Sequence, residues 1–187
     1  MIPTLPLRSR DRLAATILAA LHDASARQRL ADAARGDVAE HEWLDSDGLG
    51  AGVLLRQRAE CATRAMARLP LGSVEPSLAE ALAQAAVLFD AGLAFEVHEL
   101  LEPYWTRAHG DEREALQGLI QVAVGYQHLA NGNLAGARSL LDEGTARLRG
   151  RSLAEIDCDA FARTARATIP RLTGGLTAPD FPRRRTD

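Results

Sequence analysis

Apolar residues recur at intervals of three and four along most of this chain, and alternating patterns typical of β-strands are hard to find. Leu13, Ile17 and Leu21 begin the pattern. Alanine, leucine, arginine and glutamate dominate the sequence, and all four favour helices. At 187 residues the chain is long enough for one substantial core. We therefore predict an all-α fold, an antiparallel helical bundle built round a helical hairpin.

Residues 1–80 are predicted to form an N-terminal helical segment that packs on the rest of the chain. An amphipathic helix broken near Ser25 comes first, and a second helix follows a linker rich in turn residues. The linker is expected to hold a short helix around Glu42, with His41 and Trp43 as local anchors. Because both long helices carry apolar stripes, we expect them to be buried against the core instead of forming a separate domain.

A helical core is predicted over residues 81–175. Ser77 followed by Glu80 forms a capping box that opens its first helix. Short loops separate the helices after it and imply antiparallel neighbours. These further helices are expected at about 92–108, 112–132, 133–150 and 156–170. Residues 176–187, rich in proline and arginine, are expected to form a disordered tail.

The charged residues exclude several functions. All 22 basic residues are arginine, and a chain without lysine cannot form a phosphate-binding P-loop or a Schiff base. The net charge is −3 and the one dense basic run is at residues 183–185, so nucleic acid is not an expected partner. No signal peptide or run of about 18 apolar residues is evident, so a cytoplasmic location away from membranes is expected. Cys61 and Cys158 are interpreted as buried thiols without a redox role.

The segment FEVHELLEPYW places an unusual set of side chains on one face of a predicted helix. Phe95, His98, Glu99, Glu102 and Trp105 fall within an arc of about 120°, at about 100° per residue. The opposite face of the helix is apolar. A stripe that faces only solvent would rarely contain two large aromatic rings. These five residues are therefore the first candidates for a functional site.

The next predicted helix carries a second polar stripe among apolar residues, made of Gln117, Gln121 and His128. Antiparallel pairing about the turn near residue 110 places Glu102 opposite Gln117 and His98 opposite Gln121. We therefore expect the two stripes to share a polar cluster in which each buried group finds a partner. Close approach of a neighbouring helix is also expected at two glycines of this second helix, Gly118 and Gly125.

These motifs resemble the DUF309 family of uncharacterised small helical proteins, over about residues 85–150. The resemblance implies an all-α fold of antiparallel helices and brings no established activity with it. The chain departs from the family pattern at Ala94, where an aromatic residue is usual, and at Pro103, which is expected to interrupt the helix and disfavour α geometry at Glu102. The residues that carry the resemblance are Phe89 to Gly92, Phe95 to Glu99, Glu102, Trp105, Leu116 to Gln121, His128 and GNLAGA at 132–137.

Two interpretations of the polar cluster need no metal or cofactor. In the favoured one, a His/Glu/Gln network fixes the register of the helical hairpin as a structural lock. In the second, the cluster is a pocket for a small polar ligand, with Phe95 and Trp105 as walls and the acids as polar anchors. Gln117, Gln121 and His128 are further candidates for contact with such a ligand.

Two catalytic interpretations stay open beside them. His98 and Glu102, with Glu99 next to the histidine, form an H-E-x-x-E motif that resembles the zinc-binding H-E-x-x-H pattern. Zinc or another divalent metal would then serve a hydrolase, with His128 as a third ligand, although the pairing places His128 opposite residue 91, well away from His98. Acid/base catalysis by His98 and a carboxylate, without metal, is the other alternative.

Overall fold

Helices make up nearly all of the regular structure in a computed structural model of the chain, which describes residues 4–37, 42–44, 50–173 and 176–184. The predicted all-α fold is confirmed for these residues. The chain divides into two compact units, Met1–Pro76 and Ser77–Asp187. In the described ranges, no helix combines the length and the apolar character that crossing a membrane requires.

Within its described residues, the first unit contains three α-helices, α1 (Leu7–Ala19), α2 (Ala24–Arg35) and α3 (Gly52–Met66). The predicted break near Ser25 lies between α1 and α2, where Asp23 caps α2 by accepting a hydrogen bond from the Ser25 backbone N–H at 2.8 Å. Trp43 is buried, as expected of a local anchor, whereas His41 lies outside the described residues. The placement of residues 1–80 against the core stays a prediction.

The second unit begins with α4, which the capping residue Ser77 opens by accepting a hydrogen bond from the Glu80 backbone N–H at 3.2 Å. Short turns join the next three helices, in agreement with the predicted antiparallel order. Its elements are α4 (Leu78–Asp90), α5 (Ala94–Arg107), α6 (Gly110–Ala130), α7 (Leu134–Leu148), β1 (Ser152–Leu153), β2 (Ile156–Asp157), α8 (Cys158–Thr168) and a 3₁₀ turn at Ile169–Arg171. The antiparallel pair β1–β2 was not expected, because two-residue strands are too short to show an alternating pattern.

Helices α6 and α7 approach each other closely at their glycines. A methyl group at Gly118 would lie 2.7 Å from Leu148 Cγ and 3.0 Å from the Gly144 carbonyl oxygen. At Gly125 it would lie 2.9 Å from Leu141 Cγ. The predicted close approach is confirmed, and α7 is the neighbour that requires it.

Helix α5 runs through Pro103 without ending, which differs from the expected interruption. Proline removes one backbone donor, but its fixed φ is itself helical. Pro103 is exposed, so the carbonyl that loses its donor is on the side of the helix that water can reach. Glu102 keeps its helical position, and its carbonyl oxygen accepts a hydrogen bond from Thr106 Oγ1 at 2.9 Å.

The segment expected to be a disordered tail instead contains a packed residue. Phe181 is only 2% exposed and contacts the rings of Phe89 and Phe161. Its backbone N–H donates a hydrogen bond to Asp90 Oδ1 at 3.0 Å. One aromatic residue in an otherwise polar stretch can thus anchor the segment, because a buried phenylalanine contributes about 1.5–3 kcal/mol.

Candidate functional site

Helix α5 brings together the three side chains of the H-E-x-x-E motif. His98, Glu99 and Glu102 each offer one nitrogen or oxygen atom, and these atoms all lie within 4.8 Å of one another. His98 Nδ1 is 3.1 Å from Glu99 Oε1, and the two side chains are 31% and 36% exposed. Glu102 is exposed. The three groups therefore form one cluster that water can reach.

The helix fixes this orientation by burying its other face. Val97 and Leu101 are fully buried, so the residues one position further along turn toward the surface. His98 and Glu102 are four residues apart, the spacing at which side chains on a helix become neighbours. Phe95 flanks the cluster, with its ring centroid 6.3 Å from that of His98.

Trp105 continues the same face one turn beyond Glu102, and Arg113 of α6 covers its ring. The Arg113 guanidinium carbon is 4.1 Å from the ring centroid, and Arg113 Nη1 donates a hydrogen bond to the Trp105 carbonyl oxygen at 2.8 Å. Trp105 Nε1 is buried and has no hydrogen-bond partner within the described parts of the chain. Arg113 is therefore a wall of the site.

The structure does not join the glutamines of α6 to this cluster. Gln121 donates to Glu143 Oε2 and accepts from Arg147 Nε, both at 3.1 Å and both on α7. Gln117 is partly buried, and no hydrogen bond connects it or Gln121 to His98 or Glu102 in the part of the chain that the structure describes. The expected pairing between the two stripes is absent, because the Gln121 side of α6 faces α7 instead of α5.

Polar contacts do connect α6 and α7. Arg147 bridges Gln121 and Glu114, whose Oε2 accepts from Arg147 Nη1 at 2.6 Å. Glu143 in turn accepts a hydrogen bond from Ser139 at 3.1 Å. These contacts join α6 to α7, contain no histidine and are partly exposed, so they differ from the buried network that was expected between α5 and α6.

His128 has a separate role at the α6–α7 turn. Its Nδ1 is 2.7 Å from Asn133 Nδ2, and Asn133 Oδ1 accepts a hydrogen bond from the Gly136 backbone N–H at 2.9 Å. Asn133 thereby caps α7, and His128 supports the cap. This contact explains the position of His128 without a metal, and the residue is not part of the cluster on α5.

Comparison with known families gives a match over residues 82–140 to DUF309, described as a domain of unknown function. The expected resemblance to this family is confirmed over the matched residues. The matched range contains all of α5 and α6, and with them the His98 cluster, Trp105 and Arg113. No curated protein and no solved structure matches the chain.

Proposed function

We propose that this chain binds a divalent metal ion through His98, Glu99 and Glu102. The observation that carries the proposal is that the three donor atoms lie within 4.8 Å of one another on a single helix face. Atoms that share one zinc ion each lie about 2.0–2.2 Å from it, and therefore at most about 4.4 Å apart. Small rotations of exposed side chains cover the difference.

The donor set has the composition that such ions select. One imidazole and two carboxylates suit zinc, manganese or iron, whereas calcium and magnesium prefer oxygen ligands alone. In a protein, an ion with three protein ligands keeps a position for water, which it activates for hydrolysis. Hydrolysis is therefore the reaction class that we propose for this site.

The surroundings of His98 and Glu102 favour a binding site over a structural lock. A lock requires buried partners for His98 and Glu102, and the glutamines expected in that role are not bonded to them. Both His98 and Glu99 remain about one third exposed, so a substrate could reach them. Phe95 on one side and Trp105 on the other would border what binds there.

Titration of the metal-free protein tests the proposal directly. Calorimetry with Zn²⁺, Mn²⁺ or Co²⁺ should show close to one equivalent bound to the wild type. His98→Ala and Glu102→Gln should each weaken binding at least about 100-fold, because even the loss of outer-shell partners costs about 10–100-fold. His109→Ala and Glu112→Gln are matched controls, since both residues are exposed and lie beyond the end of α5.

Binding should also stabilise the fold. At a free metal concentration 100 times Kd, the free energy of unfolding should rise by about 2.7 kcal/mol, and a chelator should reverse the rise. An absence of bound metal, or equal binding by the four variants, would contradict the proposal.

A small polar ligand beside Trp105 is a second candidate, favoured by the buried Trp105 Nε1 without a partner. Replacing Trp43 by Phe leaves Trp105 as the one tryptophan of the chain. If this candidate is correct, acetate or phosphate should change Trp105 emission in a saturable manner without metal, and Arg113→Ala should abolish the change. A linear, unsaturable response would count against it.

A further inference from the structure

The segment formed by residues 176–184, here called the Phe181 segment, occupies a groove made of Phe89, Asp90, Glu155, Ile156 and Phe161. The Phe181 ring centroid lies 5.2 Å from that of Phe89 and 5.6 Å from that of Phe161. Phe89 and Phe161 also pack edge to face, with centroids 6.1 Å apart. A ring held in this manner is typical of the anchor residue of a bound peptide.

Charges and backbone contacts continue the groove on both sides of the anchor. Asp90 accepts hydrogen bonds from the Phe181 backbone N–H and from the Arg183 guanidinium. The next residue, Arg184, pairs with Glu155, and its backbone forms an antiparallel bridge with Ile156 at the edge of β2. The groove therefore contacts the phenylalanine and the two arginines of the sequence Phe-Pro-Arg-Arg. It combines strand addition with side-chain pockets, as peptide-binding domains do.

Little else attaches this segment to its own unit. Among the described residues from 173 to 184, Phe181 is the one fully buried side chain, and residues 176–180 have no regular structure. Eight residues lie between Leu172 and Phe181, and a chain of that length spans about 30 Å when extended. The same groove contacts could therefore form whether the segment belongs to the same copy of the chain or to another.

We propose that the groove is a peptide-binding site that takes the Phe181 segment of a second copy of the chain. When two copies exchange an identical element, every contact is kept. The main cost is that the segment no longer has the high effective concentration that attachment to its own groove gives it. Two copies that exchange this segment would be joined through Asp90 and Glu155 of one and Arg183 and Arg184 of the other.

A labelled peptide of residues 176–187 tests the groove, with the full chain as receptor. The Phe181→Ala protein has an empty groove and should bind this peptide saturably. Wild type should bind it at least about tenfold more weakly, since a Phe181 segment already occupies its groove and competes with the peptide. A peptide with the same Phe181→Ala substitution should not bind. If the receptor variant fails to fold by circular dichroism, Arg183→Asp replaces it, because Arg183 is exposed and leaves no cavity.

Mixing two full-length variants then tests exchange itself. Asp90→Arg impairs the groove of a copy whose segment is intact, and Asp90 is exposed, so the fold should survive. The Phe181→Ala protein has the intact groove. A mixture of the two variants should therefore sediment as a 1:1 complex, while each variant alone should sediment as a single chain. A folded receptor that does not bind the peptide overturns the whole proposal. Peptide binding without complex formation overturns the exchange between copies and confines the groove to its own segment.

Discussion

Exposure of single side chains separates a binding site from a structural lock. His98 is about one third exposed, whereas Leu101, three residues later on the same helix, is fully buried. We therefore predict that His98→Ala changes the free energy of unfolding of the metal-free protein by less than about 1 kcal/mol. Leu101→Ala should cost about 2–5 kcal/mol and serves as the control. Urea denaturation measures both changes. A loss of 2 kcal/mol or more for His98→Ala would favour the structural lock over the binding site.

Both cysteines are free thiols; Cys158 is buried as expected, whereas Cys61 is partly exposed, contrary to expectation. Burial raises the pKa of Cys158 from 9.0 to about 11, and the neighbouring Asp157 carboxylate acts in the same direction. We predict that iodoacetamide at pH 8 modifies the partly exposed Cys61 in the folded protein and leaves Cys158 unmodified. In urea both should react. Fast modification of Cys158 without denaturant would show that the start of α8 opens.

The same raised pKa has a consequence for stability. In the unfolded chain the Cys158 thiol ionises near pH 9, whereas in the folded chain it stays protonated up to about pH 11. The unfolded state is therefore favoured as the pH rises from 9 to 11, by at most about 2–3 kcal/mol. Cys158→Ala should show a smaller loss over this interval. Equal losses in the two proteins, measured by denaturation at each pH, would contradict the assignment.

At the scale of elements, the tight contact between α6 and α7 is the most sensitive to substitution. A Cβ at Gly118 would lie 2.7 Å from Leu148 Cγ and 3.0 Å from the backbone at Gly144. Alanine favours a helix by about 1 kcal/mol over glycine, but overpacking costs about 1–3 kcal/mol and should exceed it. We predict a lower Tm for Gly118→Ala. In a Leu148→Ala background the same change should cost less, and strict additivity would argue against a direct clash.

The spacing of apolar residues and the lengths of the loops were sufficient to predict the helices, because both features depend on local sequence. They also predicted the hairpin of α5 and α6. The pairing that placed Glu102 opposite Gln117 also places Arg113 near residue 106, beside Trp105, so the Arg113 contact could have been found from the sequence.

The partners of Gln121 could not be predicted in this manner. Helix α6 packs against two helices, and periodicity alone does not say which neighbour a polar stripe faces. Phe181 was missed for a related reason. Composition describes the segment itself, whereas the groove that holds it is formed by Phe89 and Phe161, far away in sequence.

At the scale of the whole molecule, the chain divides into two compact units between Pro76 and Ser77. The second unit has its own buried core, which includes Leu116, Leu119 and Leu141. Its first helix is capped by Ser77. A fragment of residues 77–187 keeps this cap and the Phe181 segment, and is therefore expected to fold.

We predict that this fragment is less stable than the whole chain, because the apolar stripes of residues 1–80 are expected to be buried in part against the core. Each kcal/mol of lost stabilisation should lower the Tm by roughly 4–8 °C for a unit of this size. Calorimetry of the fragment and the full chain measures the difference, and Leu141→Ala in both provides a control for a change within the second unit. A fragment that melts as high and as cooperatively as the full chain would show that residues 1–76 form an independent domain.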